Sequence, residues 1–211
     1  MNDHLLRLVK SVMEVPYPSK CPLCGRLGES PCAVCVSQFE PHDPLVEFFD
    51  EDVLTFRASL FRYRGVVADA VKALKYGRHT SLVEWMARQL ELAPESLGLE
   101  YDLVLPIPIH WSRRAARGFN QAELLAERLS PSPGILIRVR KTPPQVGLNR
   151  EQRATNLVGA FQAHESVRGK RILLIDDVLT SGGTARECAL VLHAKGATEV
   201  GILSFAGEPF N

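Results

Sequence analysis

Residues 171–184 read R-I-L-L-I-D-D-V-L-T-S-G-G-T and predict a turn from a buried strand into a helix. Residues 172–175 are all apolar, as a parallel strand buried on both faces requires. Two carboxylates, Asp176 and Asp177, follow where the strand is expected to leave the core. After the glycine-rich turn, apolar residues recur at helical spacing, and residues 200–205 predict another strand. The segment therefore predicts a strand–turn–helix–strand unit with polar groups at its turn.

The turn itself is suited to an anion. Small residues let backbone N–H groups converge on one anion, and the dipole of the following helix favours negative charge there. A nucleoside triphosphate loop would need a lysine after the glycines, and a dinucleotide site would show G-x-G-x-x-G; neither is present. Because the two carboxylates precede the turn, within reach of a sugar's vicinal hydroxyls, the predicted ligand is a ribose with a 5′-phosphate. The alternative is an acidic turn before an ordinary helix. The turn consists of Thr180, Ser181, Gly182, Gly183 and Thr184.

Composition and charge are those of an ordinary globular protein. The 211 residues are 45% hydrophobic and 23% charged, with a net charge of +1, which allows one domain plus a small module. No apolar run approaches membrane-spanning length, so no membrane insertion is expected. Arg7, Lys10 and Glu14 interrupt the apolar N-terminal residues, which argues against a signal peptide. A cytoplasmic, reducing location is therefore expected.

Four cysteines form two C-x-x-C pairs, Cys21 with Cys24 and Cys32 with Cys35. Two such pairs place four thiolates around one tetrahedral ion, and Zn²⁺ is the usual occupant in a reducing compartment. The seven residues between the pairs favour a compact zinc ribbon. Disulfide bonds and a redox-active pair are the alternatives. Structural Zn²⁺ is thus the predicted cofactor.

The chain divides into three predicted parts. Residues 1–40 hold an apolar helix and the zinc ribbon, residues 41–56 form an acidic connector, and residues 57–211 form the main domain. The predicted fold class of that domain is α/β, with a mainly parallel sheet flanked by helices. Its ligand is expected at the carboxyl ends of the strands.

Basic residues concentrate on segments expected near that edge of the sheet. Residues 102–109 predict a buried strand ended by prolines, and the loop after it carries Arg113, Arg114 and Arg117 without an acidic residue. Bidentate arginines suit a diphosphate, and a solvated basic loop is the alternative. Residues 141–156 are polar and long for a connection, which is typical of a lid or of a disordered segment.

These motifs resemble those of a known family. Residues 171–184 are similar to the PRPP-binding motif of type I phosphoribosyltransferases. Residues 106–121, with P-x-P followed by R-x-x-R-G-F-N-Q, resemble the signature of the ComF/GntX family. The resemblance covers most of the chain. It implies a type I phosphoribosyltransferase-like fold with an N-terminal zinc ribbon and an association with competence.

The resemblance also implies a site for PRPP or another ribose 5-phosphate compound, with Mg²⁺ bridging the diphosphate and the ribose hydroxyls. In the family, the paired acids hold the ribose diol, the turn holds the 5′-phosphate, and a hood at residues 141–156 closes over the sugar diphosphate. For the lysine of the implied set, Lys75, solvated helix surface is an equal alternative. The implied binding residues are Asp176, Asp177, Thr180, Ser181, Gly182, Gly183, Thr184, Lys75, Arg113, Arg117 and Arg150, and the implied catalytic residues are Asp176, Asp177 and Arg117.

The choice between two functions stays open at this point. In one, a PRPP-binding protein acts in natural transformation, in the uptake or processing of single-stranded DNA. Its partners would be the DNA and proteins of DNA uptake or recombination, and its basic loops would follow the phosphates. In the other, the protein is an Mg²⁺-dependent phosphoribosyltransferase of nucleotide salvage or modification with an unidentified acceptor. Purine-salvage members carry an aspartate as general base where this chain has Thr180, which weighs against that route of base activation.

Overall fold

The computed structural model describes residues 20–43, 45–50, 52–76, 80–142 and 156–209. Its strands are β1 (Val46–Phe48), β2 (Phe56–Arg62), β3 (Leu103–Pro106), β4 (Leu136–Arg138), β5 (Phe161–Ala163), β6 (Arg171–Leu179) and β7 (Glu199–Gly207). Its helices are α1 (Ala33–Val36), α2 (Gly65–Tyr76), α3 (Thr80–Ser96), α4 (Trp111–Arg117), α5 (Gln121–Ala126) and α6 (Gly183–Ala194), with 3-10 turns at Glu127–Leu129 and Glu165–Val167.

Five of the strands form one sheet in the order β1-β2-β7-β6-β3, and β4 pairs with β5 in a separate antiparallel ladder. Strands β2, β7, β6 and β3 are parallel, and only β1, at the edge, is antiparallel to its neighbour. The mainly parallel sheet predicted from the sequence is therefore confirmed. Pro106 at the end of β3 lies beside Ile175 of β6, so the segment that leaves β3 starts next to Asp176.

The sheet is covered on both faces. On one face, Leu173 and Ile175 of β6 share a core with α2, α3 and part of α5. On the other face, Ile172 and Leu174 pack with α6 and with the β4–β5 ladder. This two-sided burial is the reason that β6 shows an unbroken apolar run instead of an alternating pattern.

An aromatic cluster joins the cysteine-rich segment to the main sheet. Phe39, which follows the last N-terminal cysteine closely, packs edge-on against Phe61 of β2 and Trp85 of α3, with ring centroids 5.3 and 5.2 Å apart. Phe205 of β7 lies 5.1 Å from Phe61. Within the acidic segment after Phe39, residues 46–48 form β1 and pair with β2. The cysteine-rich segment is therefore packed directly against the core.

Some predicted elements differ from the structure or lie outside it. The predicted basic loop contains α4. The predicted N-terminal helix and residues 143–155 of the predicted hood lie outside the described residues. None of the helices in the described ranges combines the length and the apolar character needed to cross a bilayer.

Candidate functional site

The two carboxylates lie inside β6, not after it as the sequence predicted. β6 continues to Leu179 because β7 pairs with it as far as Gly207. Asp177 is only 8% exposed, and Asp176 is partly buried. The backbone N–H of Asp177 donates to Oδ1 of Asp176 at 2.8 Å. The extended strand therefore holds the carboxylate of Asp176 in a fixed position near the carboxyl end of β6.

Lys75 reaches this acid pair from the last turn of α2. Its Nζ lies 3.0 Å from Oδ2 of Asp177, and the two side chains are 28% and 11% exposed. An ion pair this poorly solvated is screened less than a surface pair. Lys75 thus belongs to the acid pair and not to the solvated surface of its helix.

With both carboxylates ionised, the acid pair would carry more negative charge than Lys75 neutralises. Loss of solvation among the surrounding protein atoms, followed by the charge of Asp177, raises the pKa of Asp176 well above its ordinary value of 3.8. The N–H of Asp177 and the ammonium of Lys75 oppose this rise in the pKa without cancelling it. Two carboxylates with this charge balance are a suitable donor set for a hard cation such as Mg²⁺, which prefers oxygen ligands.

Asp176→Asn is expected to raise the melting temperature at pH 7. The amide keeps an oxygen that can accept the N–H of Asp177, but it removes a poorly solvated charge. Because the folded-state pKa lies above the unfolded value near 3.8, the parent loses stability as the pH rises from that value through the folded pKa. The gain should be absent below pH 3.8 and complete above the folded pKa. Calorimetric melting across pH measures it, at about 2–4 °C per kcal/mol; equal melting at pH 7 would contradict it.

The predicted phosphate turn connects β6 to α6. Gly182 has φ 70°, a left-handed conformation that favours glycine, and it directly precedes the 12-residue α6. No side chain of the described residues caps the first turn of α6. A Cβ on Gly182 would meet only Leu179, at 3.9 Å, and one on Gly183 only Ser181, at 3.8 Å. The turn therefore leaves open space beside backbone N–H groups that need an acceptor.

The predicted basic loop is partly helical, so that prediction was wrong for residues 111–117. α4 forms because the ring of His110 accepts the N–H of Ser112 at its start, and it ends because Gly118 takes φ 85°. Arg114 is bound to Glu123 at 2.5 Å. Arg113 is exposed and Arg117 is partly buried.

Asn120 fixes this segment to the end of β3. Its Oδ1 accepts the N–H of Ala122 at the start of α5, and its Nδ2 donates to the carbonyl of Ile107 at 3.0 Å. The side chain is 2% exposed. The asparagine of the R-G-F-N-Q motif is therefore an anchor that positions the arginines before it.

Arg138 is a charged residue near the site that is not among the predicted binding residues. Its guanidinium lies over the ring of Phe161, 5.2 Å from the centroid, and donates to the hydroxyl of Thr142. Its Nε is buried and has no hydrogen-bond partner among the described residues. Burial is the main cause that lowers the pKa of Arg138, and repulsion by the nearby guanidinium of Arg113 lowers it further. Two cations are therefore near each other. The dense R-V-R-K run at the end of β4 was the available signal.

The sequence-predicted residues fall into three groups in the structure. Lys75 and the two aspartates contact one another, and residues 180–184 follow them directly on the same strand and turn. Arg113 and Arg117 lie on α4, after the neighbouring strand β3. Arg150 lies outside the described residues.

The four N-terminal cysteines come together around one point. Sγ of Cys21 lies 3.8 Å from that of Cys35, and Sγ of Cys24 lies 3.6 Å from that of Cys32. All four sulfur atoms lie within 4.8 Å of one another, and all four cysteines are free. A tetrahedral Zn²⁺ with Zn–S bonds of about 2.3 Å separates its sulfurs by about 3.8 Å. The cluster is thus compatible with a zinc ribbon.

Electrostatics at the cluster favour a thiolate at Cys21, whereas burial raises the pKa of the Cys35 thiol. Burial raises the pKa of Cys21, but hydrogen bonds from the backbone of Cys32, Leu23 and Cys24 outweigh it and bring the value to about 6. The N–H of Cys32 donates to Sγ of Cys21 at 3.5 Å. Thiolates are the form that binds metal ions.

Comparison with known proteins agrees with this geometry. The phosphoribosyl transferase domain family matches residues 115–209, which include α5, β6, α6 and β7. A protein of Salmonella typhimurium named DNA utilization protein YhgH is 32% identical over 197 residues, covering 86% of this chain and 81% of that protein.

Two further relatives carry competence names. Competence protein ComFC of Bacillus subtilis is 31% identical over 187 residues, covering 83% of this chain and 72% of its own length. Competence protein F of Haemophilus influenzae is 27% identical over 211 residues, covering 93% of this chain and 87% of its own length. With its phosphoribosyltransferase-like domain and its four-cysteine cluster, the chain belongs to the ComF/GntX family.

Proposed function

We propose that this protein binds PRPP, or another ribose 5-phosphate compound, and acts in the handling of single-stranded DNA. The observation that carries the proposal is that the acid pair and the open turn are adjacent along the chain, at the end of β6 and the start of α6. Asp176 and Asp177 lie near the carboxyl end of β6, and the turn that follows leads to the uncapped start of α6. A ligand with a vicinal diol and a terminal phosphate would place the diol at the acid pair and the phosphate at the turn.

The residues fit such a ligand. The oxygens of Asp176 and Asp177 accept hydrogen bonds from the ribose hydroxyls, and the N–H groups and hydroxyls of residues 180–184 donate to the 5′-phosphate. Asp176 and Asp177 would hold Mg²⁺, which would supply positive charge to the diphosphate. Arg113 and Arg117 would hold the diphosphate from α4.

The DNA role rests on charge and on the names of the relatives. The relatives are named for DNA utilization and for competence. In this chain, Arg113, Arg138, Arg140 and Lys141 gather near the ends of β3 and β4, where they can follow the phosphates of a single strand. Zn²⁺ at the four cysteines would stabilise the ribbon packed against the core.

Phosphoribosyl transfer is the second candidate, and the arrangement of charges favours it. An acid pair for the ribose and arginines for a leaving diphosphate are what such a transfer requires. Thr180 stands where an aspartate acts as general base in purine-salvage relatives, so Thr180 offers no carboxylate to activate an acceptor base.

One panel of variants tests both roles. Calorimetry with PRPP and Mg²⁺ should show binding to the parent, and Asp177→Asn should weaken it at least about tenfold, because hydrogen bonds to charged groups contribute roughly 1.5–3 kcal/mol. Anisotropy of a labelled single strand across a salt series should show affinity that falls with salt. Arg113→Ala should reduce that slope by about 0.7, the value for one lost phosphate contact. Arg88→Ala, an equal charge change on the exposed part of α3, is the control.

The outcomes separate the proposals. Asp177→Asn should keep or raise DNA affinity, because it removes a negative charge. A parent that binds no PRPP would refute the ribose phosphate site. DNA binding that is absent or independent of salt, together with Mg²⁺-dependent release of pyrophosphate, would refute the DNA role and establish the transferase.

A further inference from the structure

Trp111 is the most exposed large apolar side chain of the described residues, at 70%. It is the first residue of α4, between the anchored end of β3 and the arginines. The second tryptophan, Trp85, packs instead in the aromatic cluster with Phe39 and Phe205. A solvent-exposed indole ring does not contribute the burial free energy that aromatic residues usually add to folding. Such rings commonly mark contact surfaces.

The ring of Trp111 is backed on one side by His110. The two ring centroids lie 5.3 Å apart at an interplanar angle of 42°. His110 is 5% exposed, and its Nδ1 lies 2.8 Å from the hydroxyl of Ser112, which fixes the imidazole. The indole thus has a rigid neighbour behind it while most of its surface faces solvent.

The surroundings of this ring pair are positive. Burial lowers the pKa of His110, and the charges of Arg138, Lys141 and Arg113 lower it further. No carboxylate of the described residues is among the charges that shift the pKa of His110. Arg113 and Lys141 are both exposed. An anionic partner with flat apolar groups matches this combination, and single-stranded nucleic acid has phosphates and bases in alternation.

We infer that Trp111 is a stacking platform for a base of single-stranded nucleic acid, whose phosphates contact Arg113 and Lys141. This inference rests on the proposed DNA role and adds the contact that holds a base. Stacking on an aromatic ring tolerates any sequence because every base has a flat face. A protein partner with acidic residues is the competing occupant, and it would not depend on bases.

The test compares two labelled probes of equal length, oligothymidylate and an oligomer of abasic sites. Trp111→Ala should weaken binding of oligothymidylate about 5- to 150-fold, which corresponds to stacking of roughly 1–3 kcal/mol per base. It should leave binding of the abasic probe unchanged, and Trp111→Phe should retain most of the affinity. Arg113→Ala should weaken both probes. Phe48→Ala, at an exposed ring on β1, is the control.

Tryptophan emission gives a second measurement. Unlabelled oligothymidylate should quench the parent but not Trp111→Phe, whose remaining Trp85 lies in the aromatic cluster. If Trp111→Ala binds oligothymidylate like the parent, the stacking inference is overturned while the DNA role stands. An equal loss for both probes also overturns it, because a base contact cannot act on an abasic strand. A parent that binds neither probe overturns the DNA role and the inference together.

Discussion

Gly182→Val is expected to reduce the affinity for PRPP by at least about 100-fold. The substitution has two effects, of which the first lowers the melting temperature and the second lowers the affinity. Valine is strained at φ 70°, which costs roughly 1–3 kcal/mol. Its side chain also enters the open space beside the turn that the 5′-phosphate would need, where a Cβ would meet only Leu179 within 4 Å. Displacing two charge-assisted hydrogen bonds of about 1.5–3 kcal/mol each is enough for the predicted change, since about 1.4 kcal/mol corresponds to tenfold.

Gly98→Val separates strain from blockage. Gly98 also has a left-handed φ, 64°, and nothing lies within 4 Å of its Cβ position, but it follows α3 away from the turn. Both variants should melt at lower temperature than the parent, while only Gly182→Val should lose PRPP in calorimetry. If Gly182→Val bound PRPP like the parent, the assignment of the phosphate site to this turn would be wrong.

Cys35→Ser is expected to abolish stoichiometric Zn²⁺ binding and to melt the ribbon. The parent should carry one Zn²⁺ per chain when purified under reducing conditions. Cys35 is 5% exposed, and loss of one of four thiolates in a structural site removes binding energy that also serves as folding energy. Because Phe39 packs against Trp85, unfolding of the ribbon should also change the emission of Trp85. Metal analysis and fluorescence measure the two effects.

Cys188→Ala is the matched control for the zinc prediction. It removes a fully buried thiol of α6 that lies in the core beyond the cysteine cluster. Its Zn²⁺ content should stay at one per chain. Parent protein without Zn²⁺, or a Cys35→Ser variant with full Zn²⁺, would contradict a four-thiolate site.

Local patterns predicted the elements around the turn well. The apolar run at residues 172–175 is part of β6, and the helix expected after the glycines is α6, with Ala185, Cys188 and Leu192 buried at helical spacing. Gly196, just after the C-cap of that helix, has φ 89°, a left-handed conformation that favours glycine. These predictions succeeded because burial on both faces and helix capping leave direct marks in the sequence.

The sequence could not reveal features that depend on distant partners. Aspartates are uncommon in strands, so the end of β6 at Leu179 became visible only through its pairing with Gly207. Lys75 and Asp177 lie far apart along the chain, and no spacing rule links them. Asn120 belongs to the family signature, but the sequence does not show that its side chain donates to the carbonyl of Ile107 in the preceding segment.

If a cation binds the acid pair as we propose, the contact between Lys75 and Asp177 would make its entry an exchange instead of an addition. An ammonium already occupies the place beside one carboxylate, at 3.0 Å. Lys75 can retreat only by its side chain, because Val67, Val71 and Leu74 fix its helix in the core. A metal ion arriving alone must therefore outcompete a tethered competitor at high effective concentration. A metal ion that arrived with the proposed phosphate-bearing sugar would gain contacts at the turn as well, so Lys75 would favour binding of the complete ligand over the bare ion.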